Sequence, residues 1–579
     1  MQAMNTLLNN LRQLVEDEQD AAHARLFETW ESPLAEKLRK GITQGFNKLE
    51  KGPESGTLWV YPDESESRFR EGDLLCLHQG QALEPLCRQV AFEYEEDDRW
   101  LIRSTHSETA WQDYQGGSCY ADPDTLDLTG YYKQTLDDIA TSAIGQDIVL
   151  PMLMGELELT FDENDMDQAT CIARSEDFNA MQAEAVSWAH GAHHVACIQG
   201  PPGTGKTRVL GLIARMAVER GERILVTSHT HTAINNALNA IAKHHVPLIK
   251  IGRSTQCKGL DQNIAHVENF DDWDDRPTQP GQGYVIGATP FATCSARLAH
   301  TSFDTVIFDE ASQITLTLAL MAMRKAKRYI FIGDQQQLPP VLLTRSILDG
   351  QSHSVFARLT SNEADHLIML NQTYRMNQWL AAWPSQTYYG GHLHAAGPNA
   401  QRQLQLRNMS DAWGPVLAAD APAVFIPNQD NHARSVNQQE AQWVAQLCHA
   451  LIEAGLSSKD IGIVSPFRAQ GRAIRTQLKR HLHPAQASAL IADTVERMQG
   501  QEREVVILSL ASGDRAFISM TAPFLFQPER INVSITRAKT KLIIMGPETI
   551  DPNDTDNPTL QQWMQQYQSL ISQCKKVLL

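Results

Sequence analysis

Long apolar runs are missing from this chain. None of its 579 residues belongs to an uninterrupted apolar run of the roughly eighteen needed to cross a bilayer as a helix. The opening stretch MQAMNTLLNNLRQLVEDEQD has acids where a secretory signal carries basic residues and a continuous apolar segment, so a cytoplasmic location is expected. Cysteine is sparse. The nine cysteines, at 76, 87, 119, 171, 197, 257, 294, 448 and 574, form no CxxC and no Cys/His cluster. That argues against zinc, iron–sulfur and disulfide frameworks together, and predicts reduced, mostly buried thiols. An excess of positive charge is also lacking: 50 Lys and Arg face 68 Asp and Glu, a net charge of -18. Such a chain repels a polyanion as a whole, so any nucleic-acid site must be a local groove. The acidic segments EYEEDD (93–98) and ENFDDWDD (268–275) read as solvated loops. Internal repeats and low-complexity tracts are absent by inspection.

What is present is alternation. The length predicts two to four domains. Residues 1 to about 50 have helical spacing without catalytic residue types, a helical stalk. From GTLWVYP to RWLIRS, short apolar runs alternate with Gly, Pro and charged turns, predicting a small β-barrel over about 52–110. A helical return over 130–160 completes an N-terminal accessory region, 1–165. From there to residue 550 strand and helix signals alternate, the mark of parallel α/β sheets. HVACIQG, RILVTSH, YVIGAT, DTVIFDE and RYIFIGD are the strands of a first domain, 166–365, with a polar excursion at 255–283. AVFIPN, IGIVSPF, EVVILSL and KLIIMG are those of a second, 366–579, closed by a helix over 551–579. Chemistry in such sheets sits at the carboxyl ends of the strands.

The stretch GPPGTGKT, comprising Gly200, Pro201, Pro202, Gly203, Thr204, Gly205, Lys206 and Thr207, follows the strand HVACIQ and precedes a helical segment. Its glycines free the backbone to wrap anionic oxygens. Lys206 brings charge to the outer phosphates, and Thr207 offers a hydroxyl to Mg²⁺. Asp309 and Glu310 end the strand DTVIF, where one carboxylate can hold magnesium and the other can orient or deprotonate water. Solvated turn residues are the alternative for that pair taken alone. Phosphoryl transfer needs further positive charge. The second domain offers Arg375 in QTYRMN and Arg537 in NVSITRAK, each of which, taken singly, could instead be a surface ion pair.

In order along the chain, FNAMQAEAV, GPPGTGKT, VTSHTHTAINNAL, DEASQ, GDQQQLPP, QTYRMN, VSPFRAQ, DTVERMQGQE and NVSITRAK resemble the superfamily 1B helicases of the Upf-like group. TSHTHTAINNAL and GDQQQLPP are similar in wording to the helicase half of the eukaryotic replication nuclease-helicase. The resemblance runs over about 178–546. It implies two tandem RecA-like domains of the P-loop NTPase class, ATP and Mg²⁺, single-stranded nucleic acid as partner, and 5′-to-3′ movement. Gln182 matches the adenine reader, Lys206 and Thr207 the phosphate and magnesium ligands, Asp309 the metal acid and Glu310 the catalytic base. Gln337 matches the γ-phosphate sensor, Tyr374 an aromatic stacking near adenine, Arg375 and Arg537 the paired fingers, and Glu502 a ribose contact. Thr230, Thr289, Ser465 and Thr494 fall in motifs that grip the nucleic-acid backbone. No nuclease carboxylate cluster accompanies the core, so the nuclease half of those relatives is not expected.

Apart from the resemblance, RAQGRAIRTQLKRHL places Arg468, Arg472, Arg475 and Lys479 along one helix face. A positive stripe in an acidic protein could track phosphates, and a solvated helix face is the plainer alternative. RFREGDLLCLH in the barrel poses the same choice between nucleic acid and a docked protein partner. The expected activity is an ATP-driven helicase or translocase, with DNA favoured over RNA by motif wording. A nucleic-acid-stimulated ATPase serving as a remodelling subunit is the alternative. A small-molecule kinase would leave Arg375, Arg537 and the second α/β domain without a purpose.

Overall fold

The computed structural model describes residues 2–579 except 64–66, 68, 70–71, 84–86, 97–98, 105–118, 345–352, 362–366, 408–410 and 499. The stalk is one long helix, Gln2–Glu31, whose Leu7, Leu11 and Leu14 share a face and are buried with Leu136 and Ile139 of the helix Thr129–Thr141. A closed antiparallel barrel follows, built from β1 (Gln44–Lys51), β2 (Thr57–Pro62), β3 (Leu74–His78), β4 (Arg88–Glu96), β5 (Arg99–Ser104) and β6 (Cys119–Pro123), in the order β1-β2-β5-β4-β3-β6. It fills with Phe46, Val60, Leu77, Phe92, Trp100 and Ile102. The barrel thus begins before residue 52 and closes after 110, because β1 and β6 pair with each other and seal it. In RFREGDLLCLH, LLCLH forms β3, while Arg68 and Arg70 lie outside the described residues.

One expectation is overturned here. Cys76 and Cys87 form a disulfide, with Cα atoms 6.1 Å apart. β3 and β4 are antiparallel neighbours with Leu77 opposite Arg88, so the hairpin returns Cys87 beside the strand that carries Cys76. The eleven-residue separation matches no metal or redox spacing and therefore carried no signal. Among the other seven, Cys119, Cys197, Cys448 and Cys574 are buried thiols, and Cys171 is exposed.

The first α/β domain is an eight-stranded parallel sheet: β7 (Val195–Gln199), β8 (Arg223–Thr227), β9 (Leu248–Ile251), β10 (His266–Val267), β11 (Tyr284–Gly287), β12 (Thr305–Phe308), β13 (Arg328–Gly333) and β14 (Leu367–Met369). Their order is β10-β9-β11-β8-β12-β13-β7-β14. β7, β8, β12 and β13 are buried apolar runs with helices on both faces, the pattern that parallel sheets require. Two strands depart from the boundaries expected from the sequence. β10 lies within the polar 255–283 excursion and extends the sheet edge beyond β9. β14, placed with the second domain from the sequence, pairs with β7 of the first sheet.

A short parallel pair, β15 (Gln372–Thr373) and β16 (His394–Ala395), flanks the helix Gln378–Tyr388. The second sheet is also parallel: β17 (Ala423–Pro427), β18 (Ile461–Val464), β19 (Ile491–Asp493), β20 (Arg503–Ser509), β21 (Ala538–Gly546) and β22 (Lys575–Lys576), ordered β19-β18-β20-β21-β17-β22. The closing helix is Pro558–Ser572, and the chain then returns as β22 on the sheet edge instead of ending helical. The fold class is therefore α/β with two parallel sheets in tandem, preceded by a helical stalk and a small barrel. No helix among the described residues is long and apolar enough to cross a membrane.

Candidate functional site

The carboxyl ends of β7, β12 and β13 meet the second domain, and the first of them opens into the phosphate loop. Gly203 and Gly205 have φ of +75° and +85°, left-handed values open to glycine at little cost. A Cβ on Gly203 would lie 2.4 Å from the Cβ of Arg375, and one on Gly200 would lie 2.0 Å from Lys206 Cγ. Pro201 and Pro202 are buried, and Thr204 donates its hydroxyl to the Pro201 carbonyl at 2.7 Å. Lys206 Nζ donates to the Gly200 carbonyl at 2.5 Å, and Thr207 is exposed in the first turn of the helix Lys206–Glu219.

Gln182 is buried under this loop. Its Nε2 donates to the Thr204 carbonyl at 2.9 Å, and its Oε1 accepts from the Asn179 backbone in a capping box at the start of the helix Ala180–Gly191. The side chain expected to read adenine is here a brace for the phosphate loop. Tyr374 stands beside it, its hydroxyl accepting from Asn179 Nδ2 at 2.8 Å while its backbone N–H donates to the Gly203 carbonyl at 2.9 Å.

Asp309 and Glu310 leave β12 toward the loop. Burial pushes the Asp309 carboxyl up, the neighbouring Glu310 charge adds to the rise, and Lys206 opposes it. Glu310 is left-handed (φ 52°, ψ 41°), a strained backbone for a non-glycine residue, with its N–H on Asp309 Oδ1 at 3.0 Å. Its Oε2, with Ser312 Oγ, Thr227 Oγ1 and Gln335 Oε1, is buried without a hydrogen-bond partner among the described residues. A buried polar group in that state costs free energy unless a ligand or water completes it. A phosphate-bearing ligand with a hydrated cation would supply the missing partners.

β13 delivers the turn GDQQQLPP. Gln337 is buried and bridges two domains: Nε2 donates to Asp334 Oδ2 at 2.8 Å, and Oε1 accepts from Arg537 Nη2 at 3.2 Å. Gln336 offers its main-chain carbonyl to Asn532 Nδ2 at 2.7 Å. Arg537, between the helix Pro528–Ile535 and β21, is only 2% exposed, and burial followed by the like charge of Arg375 lowers its guanidinium to about 9. It stays charged at neutral pH. Arg375 donates from Nε to Glu502 at 2.8 Å and from Nη1 to the Thr536 carbonyl at 3.2 Å. Glu502 also takes Lys539 at 2.7 Å. Burial would raise Glu502, but Arg375 and Lys539 hold it down to about 2. Glu502, expected at the ribose, is in this conformation the ion partner of Arg375 and Lys539. Asp334 lies within GDQQQLPP, and Asn532 and Lys539 lie within NVSITRAK, but the motifs gave none of them a part; Tyr389 lies outside every motif, and what marks Asp334, Tyr389 and Asn532 is burial beside the turn.

A second cleft, of about 670 Å³, lies apart from the phosphate loop. Arg468, Arg472 and Arg475 line it from the helix Arg468–His481, joined by Thr494 and Arg497. Thr232 and Lys258 of the first domain and Ser67 of the barrel form the facing wall. Its acid Asp493 is paired with Arg497 at 2.7 Å, so the cleft is strongly basic. Arg475 also donates to the Ala492 carbonyl at 2.8 Å, and Lys479 is exposed but does not line the cleft. Thr230, Thr289 and Ser465 do not line it either. Thr230 caps the helix His231–Ala242, Thr289 precedes the turn Pro290–Cys294, and the Ser465 hydroxyl is buried, accepting from the Phe467 N–H.

Two models described as AAA domain match residues 177–396 and 351–549. The DNA replication ATP-dependent helicase/nuclease DNA2 of Mus musculus is 29% identical over 387 residues, 60% of this chain and 35% of its own length. Its Homo sapiens counterpart is 27% identical over 425 residues, 68% of this chain and 39% of its own. The chain thus spans well under half the length of the curated relatives it matches. Among solved structures, the Arterivirus nonstructural protein 10 helicase aligns over 92% of this chain and 82% of its own, at 14% identity and a TM-score of 0.38. Over its two parallel-sheet domains the chain is thus similar to part of the DNA replication ATP-dependent helicase/nucleases, consistent with a helicase module of that kind.

Proposed function

We propose that the protein is an ATP-dependent helicase or translocase on single-stranded nucleic acid, DNA in preference to RNA, moving 5′ to 3′. The observation that carries this reading is the hydrogen bond from Arg537 of the second domain to Gln337 of the first, beside the phosphate loop. It ties nucleotide chemistry to the relative position of two domains. A kinase acting on a small molecule would have no use for that link. ATP is the substrate of the cleft. Lys206 and the loop amides bind its outer phosphates, with Tyr374 as the aromatic wall and Arg375 and Arg537 facing the γ-phosphate. Asp309 and Thr207 would hold Mg²⁺, which would supply charge neutralisation on the phosphates. Glu310 accepts the proton of the attacking water. Two guanidiniums held close to each other repel, and a γ-phosphate between them relieves that repulsion most as its charge develops.

The basic cleft supports a path for the strand. It is walled by both α/β domains and the barrel, and contacts to phosphates would leave it tolerant of sequence. The accessory region 1–165, besides its barrel wall, is the surface for a protein partner. The test is the ATPase rate with matched single-stranded DNA and RNA, followed by strand separation on duplexes with 5′ or 3′ overhangs, with Glu310→Gln as the inactive control. Stimulated hydrolysis without strand release would favour the remodelling ATPase. Hydrolysis indifferent to nucleic acid would end the reading.

A further inference from the structure

The sensor turn hides a carboxyl group that the proposed chemistry does not use. Asp334 is fully buried, yet it collects four donors. Oδ1 accepts from Gln199 Nε2 at 3.3 Å and from the Gln336 N–H at 3.2 Å, and Oδ2 accepts from Gln337 Nε2 and from the Tyr389 hydroxyl, both at 2.8 Å. Three of these donors belong to the first domain. The fourth, Tyr389, follows the helix Gln378–Tyr388 and is itself held by Asn532 Nδ2 at 2.8 Å, while the same amide reaches back to the Gln336 carbonyl. Asn532 lies in the helix Pro528–Ile535, one residue before Val533, whose carbonyl accepts from Arg537 Nε. Tyr389 and Asn532 are both nearly inaccessible to solvent.

This geometry constrains the sensor amide. Arg537 can only donate and an ionised Asp334 can only accept, so Gln337 turns its Oε1 toward Arg537 and its Nε2 toward Asp334. One N–H of Nε2 remains for a phosphate oxygen. If Asp334 shifts, the amide loses the contact that selects this orientation. Burial and the Asp334 charge push the Tyr389 hydroxyl well above its ordinary range, so it remains a donor.

We propose that Tyr389 and Asn532 are positioning residues that register the second domain's place on Asp334, which in turn orients the Gln337 amide for hydrolysis. Because Asn532 and Arg537 share one helix end, a movement that brings the finger arginine in or out also pulls on Tyr389. The sensor then reads domain closure as well as phosphate. This rests on the ATPase reading of the cleft.

Tyr389→Phe removes the hydroxyl and keeps the ring. The expected result is a fall in kcat for nucleic-acid-stimulated hydrolysis of about tenfold or more, with KM for ATP within about twofold and the melting temperature near that of the parent. Asn532→Ala, which leaves the hydroxyl in place but loosens it, is expected to give a smaller loss in the same parameter. Combined with Gln337→Ala, Tyr389→Phe should add little, because both act through one amide. Unchanged kcat in Tyr389→Phe overturns the proposal, as does a loss that multiplies fully with that of Gln337→Ala. Loss of melting temperature with kcat intact means Tyr389 is only packing, and also overturns it. Full activity of Gln337→Ala would instead show that the sensor assignment itself is wrong.

Discussion

Two adjacent glutamines of GDQQQLPP should behave differently. Gln337 uses both ends of its side chain, donating to Asp334 at 2.8 Å and accepting from Arg537 at 3.2 Å. Gln336 meets the second domain through its main-chain carbonyl, which alanine retains. A hydrogen bond involving a charged group contributes about 1.5–3 kcal/mol. Gln337→Ala therefore removes roughly 3–6 kcal/mol of gross interaction and leaves the Arg537 guanidinium, 2% exposed, one partner short. If about half of that is realised in the transition state, kcat falls by roughly 10- to 150-fold. KM for ATP should change little, since Lys206 and the loop amides remain. Gln336→Ala should alter kcat by less than about twofold, as a half-buried substitution that keeps its one interdomain bond. The assay is steady-state ATP hydrolysis at saturating single-stranded DNA, with nucleotide binding measured separately. Equal losses in the two variants, or a Gln337→Ala defect confined to KM, would refute the reasoning.

Gly203→Ala should abolish hydrolysis, because its left-handed φ of +75° is compounded by a Cβ within 2.4 Å of Arg375; Gly56→Ala, with φ +76° and nothing near its Cβ, should cost only stability and leave the ATPase rate intact. Reversing charge in the basic cleft with Arg472→Glu and Arg475→Glu should weaken single-strand binding and reduce the slope of log affinity against log salt by roughly 0.7 for each phosphate no longer neutralised, and an unchanged slope in a salt titration would remove the cleft from the strand path. Burial pushes Glu440 up from 4.5 to about 7, against hydrogen bonds from Ser509 and Ala511. Between those two values the unfolded chain releases a proton that the folded chain keeps, so stability falls as pH rises through that window, by about 3 kcal/mol in all. Glu440→Gln should lift that loss, matching the parent near pH 4.5 and exceeding it at pH 8 in urea unfolding.

The strands legible in the sequence are those buried on both faces. VACIQ, RILVT, TVIF and RYIFIG are continuous apolar runs closed by polar or glycine residues, and each occupies the interior of a sheet. Apart from β9, a four-residue strand inside the first sheet, and the short pair β15 and β16, the strands that escaped notice are edge or closing strands. β10 and β22 are two residues long, and β14 and β19 three, too short for any periodicity to show. β1, QGFNKLEK, is apolar at only two positions, and what makes it a strand is β6, some seventy residues later. The Cys76–Cys87 bridge has the same origin: a hairpin register decided by tertiary packing.

A similar division runs through the site. Residues expected to touch a phosphate or a metal sit at strand ends inside local motifs, and the position of Lys206, Asp309, Glu310 and Gln337 at those ends was legible one by one. Which of the named residues pair with one another was not, because those interactions join distant parts of the chain. Gln182 reaches Thr204 across 22 positions, Arg375 reaches Glu502 across 127, and Arg537 reaches Gln337 across 200. Each of these bonds changes what the motif residue can do in this conformation. Gln182 supports the loop, and Glu502 pairs with Arg375. Asp334 goes further, because its four donors come from a strand, a turn and a second domain, and removing any one of them leaves the carboxyl buried with less compensation. Only Tyr389 among them comes from the second domain, so parting the domains would leave that carboxyl less compensated, which ties the orientation of the Gln337 amide to their register.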